Sequence, residues 1–80
     1  MSVTLKLPRL SMNMAEATLV AWRKRPGDRF VAGEVLYEVE TEKVTSTIEA
    51  PGAGTLLSIL APEGSELEVG DPVCTVEPAG

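Results

Sequence analysis

The chain of 80 residues contains an internal repeat with a spacing of 37 residues. Residues 18–41 align with residues 55–78, and six positions are identical in the two copies. These are Thr18/Thr55, Leu19/Leu56, Gly27/Gly64, Gly33/Gly70, Val39/Val76 and Glu40/Glu77. Glycine adopts positive φ without steric cost, so the matched glycines predict the same tight turns in both copies. The length leaves room for one domain only, spanning residues 1–80, and the repeat indicates that it is built from two similar halves.

Alternation with a period of two predicts strands. The inward-facing members are Val3, Leu5 and Leu7 in one segment, Val35, Tyr37 and Val39 in a second, and Val44, Ser46 and Ile48 in a third. In the second segment Leu36, Glu38 and Glu40 fall on the opposite face. No helical period is long enough for a stable helix. The pattern predicts an all-β fold of two small antiparallel sheets, packed as a flattened barrel or sandwich about a pseudo-twofold axis.

Two proline and glycine pairs predict the turn types. Arg25-Pro26-Gly27-Asp28 has Pro at the second position and Gly at the third, which is the type II pattern. Ala61-Pro62-Glu63-Gly64 has Gly at the fourth position, which suits a type I turn.

The two halves differ in one loop. Leu5-Lys6-Leu7-Pro8 parallels Ile48-Glu49-Ala50-Pro51 with a spacing of 43, so the segment after Pro8 is six residues longer than the one after Pro51. We expect the segment from Arg9 to Ala17 to form an extra surface loop in one half only. On this pattern alone, a functional role and chance variation in loop length remain equally open.

Composition argues against several function classes. The chain has no histidine, and its single cysteine, Cys74, is expected to be a small core residue. These two facts leave no candidate for acid/base or nucleophilic catalysis, so we expect no enzyme activity and no metal site. A net charge of −5 argues against nucleic acid as a partner, and the apolar runs are too short for a membrane span or a signal peptide. We expect a monomeric domain in the cytoplasm, or in the mitochondrial matrix of a eukaryote.

A two-residue connection lies near the middle of the chain. Only Glu42 and Lys43 separate the strand that ends near Thr41 from the strand that starts at Val44, which predicts a tight hairpin with Lys43 at its exposed apex. Neither residue is one that favours the primed hairpin turns, so we expect a type I or a distorted turn. Charged residues at a turn commonly serve solubility alone, and that interpretation stays open here.

The residues around this connection resemble a known family. Glu40-Thr41-Glu42-Lys43-Val44, preceded by Leu7-Pro8-Arg9-Leu10-Ser11, Trp22, Pro26-Gly27-Asp28 and Gly33, is similar to the lipoyl domain of 2-oxo acid dehydrogenase complexes. The resemblance covers essentially the whole chain. It implies a barrel-sandwich fold of two four-stranded sheets, with lipoate joined to Lys43 by an amide bond and flanked by Thr41, Glu42 and Val44. The family often has Asp and Gly where this chain has Glu42 and Ala17.

The resemblance also implies partners. They are the thiamine-dependent decarboxylase (E1), the acyltransferase catalytic domain (E2), the dihydrolipoamide dehydrogenase (E3), and a lipoate-protein ligase or lipoyl synthase system. Lipoate takes up an acyl group and two electrons together, so the domain would carry both between active sites. By the same resemblance, the long loop helps E1 to recognise the domain. The residues expected to contribute are Met12, Asn13, Met14, Glu16 and Glu40. Independently of the resemblance, Glu38, Glu40 and Glu42 share one face of their strand and form an acidic approach to the lysine, and ordinary outward-facing strand polarity explains the same pattern equally well.

Three other functions compete with this one. A biotinyl carrier domain shares the fold and the tip lysine, but its lysine usually lies between methionines, whereas Lys43 lies between Glu42 and Val44. The glycine-cleavage carrier protein also carries lipoate, but it has helical additions that this sequence lacks. An unmodified interaction module of the same fold is the third. Residues 77–80 could begin an interdomain linker or end a small free-standing carrier.

Overall fold

Eight strands account for half of the chain in the computed structural model, which describes residues 1–9, 12, 15–42 and 44–79. They are β1 (Val3–Lys6), β2 (Glu16–Trp22), β3 (Arg29–Phe30), β4 (Val35–Glu40), β5 (Thr45–Glu49), β6 (Gly54–Ile59), β7 (Glu66–Glu68) and β8 (Pro72–Pro78). Within those residues there is no helix, and so none long and apolar enough to cross a bilayer.

The strands form two antiparallel sheets of four. One has the order β1-β8-β6-β3 and the other the order β5-β4-β2-β7. Exchanging the two copies of the repeat turns the first order into the second, which is the predicted pseudo-twofold symmetry. The predicted all-β sandwich is confirmed in its flattened form, since among the described strands no pairing closes the two sheets into a barrel.

The four repeated glycines make the four equivalent turns. Gly27, Gly33, Gly64 and Gly70 have φ between 86° and 97°, and no other described residue has positive φ. Asp28 N–H donates to the Arg25 carbonyl over 2.9 Å with Gly27 at the third position, which confirms the type II turn.

The turn predicted at residues 61–64 is wrong by one position. Ser65 N–H donates to the Pro62 carbonyl over 3.1 Å, so the turn spans residues 62–65 and Gly64 takes the third position with φ of 91°. The shift follows from the repeat, because Gly64 is equivalent to Gly27. A type II turn needs positive φ at its third position, and in both copies the glycine takes that position. Pro62, at the first position of this turn, has no N–H that could donate to a side chain. The side-chain bond of the turn therefore runs from the Ser65 hydroxyl to the Pro62 carbonyl, over 2.6 Å.

Hydrogen bonds from these turns join the two halves of the chain. Gly27 N–H donates to the Leu56 carbonyl over 2.7 Å, and the equivalent bond runs from Gly64 N–H to the Leu19 carbonyl over 2.7 Å. Each turn therefore donates a hydrogen bond to a strand of the other copy, and neither half can satisfy all of its backbone N–H and C=O groups alone.

Register shifts alter the predicted alternation. Leu36 lies at the shift where β4 pairs with β5, and it is 1% exposed although the period of two placed it on the polar face. Its equivalent, Val73, lies where the pairing of β8 with β1 shifts, and it is 0% exposed. An extra residue in a strand lets two successive side chains turn inward, so Leu36 and Tyr37 are both buried, as are Val73 and Cys74.

The core between the sheets is apolar, and among the described residues no polar side chain is fully buried. Tyr37 and Cys74, equivalent under the repeat, both lie in it, which confirms Cys74 as a core residue. Trp22 closes one side: its indole N–H donates to the Ala61 carbonyl over 2.8 Å, and its ring lies 4.8 Å from that of Tyr37. Trp22 is thus a structural anchor.

Candidate functional site

The hairpin between β4 and β5 carries the candidate attachment residue. Glu40 pairs with Thr45 at the end of the ladder, and beyond that pair Thr41 N–H donates to the Val44 carbonyl over 2.8 Å. Two residues, Glu42 and Lys43, connect Thr41 to Val44 in the sequence. Lys43 itself lies outside the described residues. The predicted two-residue connection is confirmed at its base, where Thr41 lies opposite Val44.

The backbone of Glu42 excludes the usual hairpin turns. Types I′ and II′ both require positive φ at the first central residue, and Glu42 does not have it. The prediction that this connection is not a primed turn is therefore confirmed. A side chain adds to the closure, because the Thr41 hydroxyl donates to the Val44 carbonyl over 3.2 Å and lies 3.4 Å from the Val44 amide nitrogen.

The base of the hairpin is anchored while its tip is open. Val39, two residues before Thr41, is 0% exposed and packs in the core. Glu42 is exposed and Val44 is 58% exposed. Such a site suits a group joined covalently to a lysine, because the attachment needs an accessible side chain and a firm base, and it needs no enclosing cavity.

An open groove of about 270 Å³ runs beside the hairpin. Four of its lining residues are glutamates: Glu16 at the start of β2, Glu40 at the end of β4, Glu42 in the connection and Glu66 at the start of β7. The rest of the lining is Ala17, Thr18 and Thr41. All four glutamates are exposed, and the groove therefore presents a concentrated negative charge next to the hairpin.

The equivalent groove at the other end of the sandwich has a different charge. Under the 37-residue spacing, Glu16, Glu42 and Glu66 correspond to Ala53, Ala79 and Arg29, and only Glu40 keeps a glutamate, Glu77. Arg29, Glu77 and Ala79 line a groove of about 430 Å³. The N-terminal ammonium group lies 2.6 Å from Glu77 Oε1. The fold therefore accepts a neutral or basic residue at three of the four positions, so folding does not require the acidic groove.

The recognition residues expected from the sequence fall into three groups. Glu16 and Glu40 both line the groove, and Met12 is 91% exposed. Asn13 and Met14 lie outside the described residues. Glu38 does not join the acidic approach, because its carboxylate pairs with the Arg23 guanidinium. Sequence reasoning missed Glu66, whose place beside β2 comes from the pairing of Glu66 with Thr18.

Reactive side chains are scarce in the described part of the chain. It contains no group of three or more residues suited to hold a metal ion. Burial raises the pKa of the Cys74 thiol to about 11, so the thiol stays protonated and unreactive at neutral pH. Burial also raises the pKa of Tyr37 well above its ordinary value. Both groups belong to the core and lack the exposure that nucleophilic chemistry needs.

Comparison with known proteins agrees with this geometry. The profile of the Biotin_lipoyl family, described as "Biotin-requiring enzyme", matches residues 3–76. Over 81 aligned residues, 100% of this chain and 18% of the relative, the chain is 42% identical to the dihydrolipoyllysine-residue acetyltransferase component of the pyruvate dehydrogenase complex of Zymomonas mobilis. Over 75 residues, 92% of this chain and 17% of the relative, it is 41% identical to the mitochondrial pyruvate dehydrogenase complex protein X component of Chaetomium thermophilum.

A solved structure shows the same fold. The lipoyl domain of the 2-oxoglutarate dehydrogenase complex from Azotobacter vinelandii superposes with a TM-score of 0.77 at 26% identity, covering 98% of this chain and 99% of that domain. The chain spans less than a fifth of the length of the two curated relatives, so it corresponds to one domain of those proteins. The chain belongs to the biotin/lipoyl attachment family and is a non-catalytic carrier domain of the kind found in 2-oxo acid dehydrogenase acyltransferases.

Proposed function

We propose that Lys43 carries lipoate through an amide bond, and that the domain shuttles acyl groups and electrons between the E1, E2 and E3 active sites of a 2-oxo acid or acetoin dehydrogenase complex. The observation that carries this proposal is the tied hairpin, in which Thr41 binds Val44 on either side of Glu42 and Lys43. When bound, lipoate supplies a disulfide that accepts an acyl group together with two electrons.

The chain's own contribution is presentation. β4 is a central strand of its sheet, paired with β2 on one side and β5 on the other, so the base of the hairpin is held on both sides. The groove beside it is open, so it would not retain the arm. A tethered group with a fixed base and a free end reaches successive partners at high effective concentration.

Partner recognition is proposed to use the acidic groove and the long loop. Glu16, Glu40, Glu42 and Glu66 would favour partner surfaces rich in Lys and Arg, and the loop residues Met12, Asn13 and Met14 would add contacts specific to E1. The support is the contrast with the opposite groove, because three of the four charges exist only at the hairpin end. Charge of this kind steers encounter and excludes wrong partners more than it adds affinity.

The parent complex is proposed to lie in the cytoplasm of a bacterium or in the mitochondrial matrix. One relative's name refers to pyruvate and the similar structure's to 2-oxoglutarate, so the proposal covers 2-oxo acid complexes as a class. The neighbours Glu42 and Val44 favour lipoate over biotin at Lys43.

Intact mass tests the proposal. The 80-residue chain is incubated in separate reactions with lipoate and a lipoate-protein ligase, and with biotin and a biotin-protein ligase. We expect one lipoyl increment in the first reaction and none in the second, and Lys43→Gln abolishes the increment. Lys24→Gln is the matched control, since Lys24 pairs with Glu34, and it leaves the increment in place. A biotin increment, or no increment with either ligase, contradicts the proposal.

A further inference from the structure

The turn between β4 and β5 has a geometric problem that the backbone alone does not solve. Its first central residue, Glu42, lacks positive φ, so the turn is neither type I′ nor type II′. Those two types match the right-handed twist of paired strands, whereas other two-residue turns tend to splay the strands apart. Something must hold the strand ends together beyond the pair of Glu40 with Thr45.

The Thr41 side chain supplies that restraint. Its hydroxyl donates to the Val44 carbonyl over 3.2 Å, and the Val44 amide nitrogen lies 3.4 Å from the same oxygen. Together with the bond from Thr41 N–H to the Val44 carbonyl, at 2.8 Å, this ties both backbone groups of Val44 to one residue. Val44 is the residue that directly follows Lys43.

The other end of the sandwich lacks this arrangement. The equivalent of Thr41 is Pro78, which has no hydroxyl and closes no turn. At that end β8 and β1 pair without being joined by a hairpin. The two copies thus differ in this side chain at the place where one of them carries a hairpin connection.

We propose that the Thr41 hydroxyl is a positioning group, which fixes Val44 against β4 and so orients the attachment lysine for the enzyme that modifies it. Thr41 touches neither lipoate nor the ligase in this role and acts through the backbone of Val44. The biochemical part of this inference rests on the proposed lipoylation of Lys43, whereas its structural part does not.

The test compares Thr41→Val, which keeps the shape and removes the hydroxyl, with Thr41→Ser, which keeps the hydroxyl. Thr47→Val makes the same change at an exposed position on β5, outside the restraint. In Thr41→Val we expect the ¹⁵N order parameter of the Val44 amide to fall from about 0.85 towards about 0.6. We expect kcat/KM for lipoylation by a lipoate-protein ligase to fall roughly 3- to 10-fold, the loss of one or two weak hydrogen bonds. Thr41→Ser and Thr47→Val stay near the unsubstituted chain in both measurements.

Several outcomes overturn the inference. One is an unchanged Val44 order parameter in Thr41→Val; another is an equal loss in Thr41→Ser, which would mean that the methyl group rather than the hydroxyl matters. A fall in the melting temperature, with order parameters lowered throughout the chain, would show a general structural role instead. If the unsubstituted chain takes up no lipoate, the proposed function fails, and the order parameters still decide whether Thr41 restrains Val44.

Discussion

Phe30 and Gly54 face each other across β3 and β6, and the Phe30 ring takes up the space that a side chain at position 54 would need. A Cβ atom on Gly54 would lie 3.1 Å from Phe30 Cζ and 2.7 Å from the Glu77 carbonyl oxygen. The equivalent pair in the other half is Leu67 and Ala17, also cross-strand partners. One half thus pairs Phe with Gly and the other pairs Leu with Ala, so the combined side-chain volume of each pair is similar.

Gly54→Ala is therefore expected to destabilise the domain by about 1–3 kcal/mol, because the added methyl group meets both the Glu77 carbonyl and the Phe30 ring. The measurement is the free energy of unfolding in urea. Adding Phe30→Leu recreates the pair found in the other half, so the double variant should lose less than the sum of the two single changes. Strict additivity would show that Phe30 and Gly54 are not coupled.

The four positive-φ glycines predict a second stability effect. Gly27→Ala and Gly64→Ala should each cost about 1–2 kcal/mol, since both residues have φ above 90°. A Cβ atom at either place would meet no surrounding residue within 4 Å, so the cost comes from the local backbone conformation and not from packing. Gly52→Ala is the control, because Gly52 has equal space without positive φ. Thermal unfolding that shifts equally for all three would contradict this explanation.

The Cys74 thiol predicts a dependence of stability on alkaline pH. Its pKa rises from an ordinary value near 9 to about 11 in the folded chain, owing to burial. Between those values the folded chain holds a proton that the unfolded chain has lost, so the free energy of unfolding falls as the pH rises from 9 to 11. The raised pKa of Tyr37 adds a decline in the same direction above its ordinary value near 10.

Urea unfolding at several pH values measures this effect. Cys74→Ala lowers stability at every pH, because it leaves a small cavity, but it flattens the slope between pH 9 and 11. Rapid reaction of the thiol with a disulfide reagent in the folded chain at pH 8 would show that Cys74 is not buried as described.

The acidic groove predicts an effect on association that leaves stability unchanged. Glu66→Arg puts an arginine into the acidic groove, at the position equivalent to Arg29 in the opposite groove. We expect reductive acylation by E1 to fall severalfold at low salt and the difference to shrink at higher ionic strength, because screening weakens charge steering. Arg29→Glu, the reciprocal change, should leave the rate unaltered. A rise in the rate with Arg29→Glu that mirrors the fall with Glu66→Arg would mean that net charge, and not the groove, controls the rate.

Much of the fold could be predicted from the sequence, because it depends on the conformational preferences of a few residues in each turn. The repeat, the positive-φ glycines, the type II turn at residues 25–28 and the two-residue connection before Val44 all depend on residues close together in sequence. The family resemblance likewise rests on short segments, the one around Lys43 among them. Symmetry was also accessible, because duplicated turns require duplicated strands.

Tertiary structure decided what depends on pairing between distant strands. Leu36 is buried because the register of β4 against β5 shifts there, and a shift of register is a property of two strands together. Glu66 lies near Glu16 and Glu40 because β7 and β4 both pair with β2. Glu38 does not contribute to the acidic groove, because its carboxylate pairs with Arg23. The two halves and the turn at residues 25–28 could be predicted from the sequence, because each turn depends on a few adjacent residues. Only the packed sheets decided which side chains surround the hairpin, because those contacts join residues up to 50 positions apart.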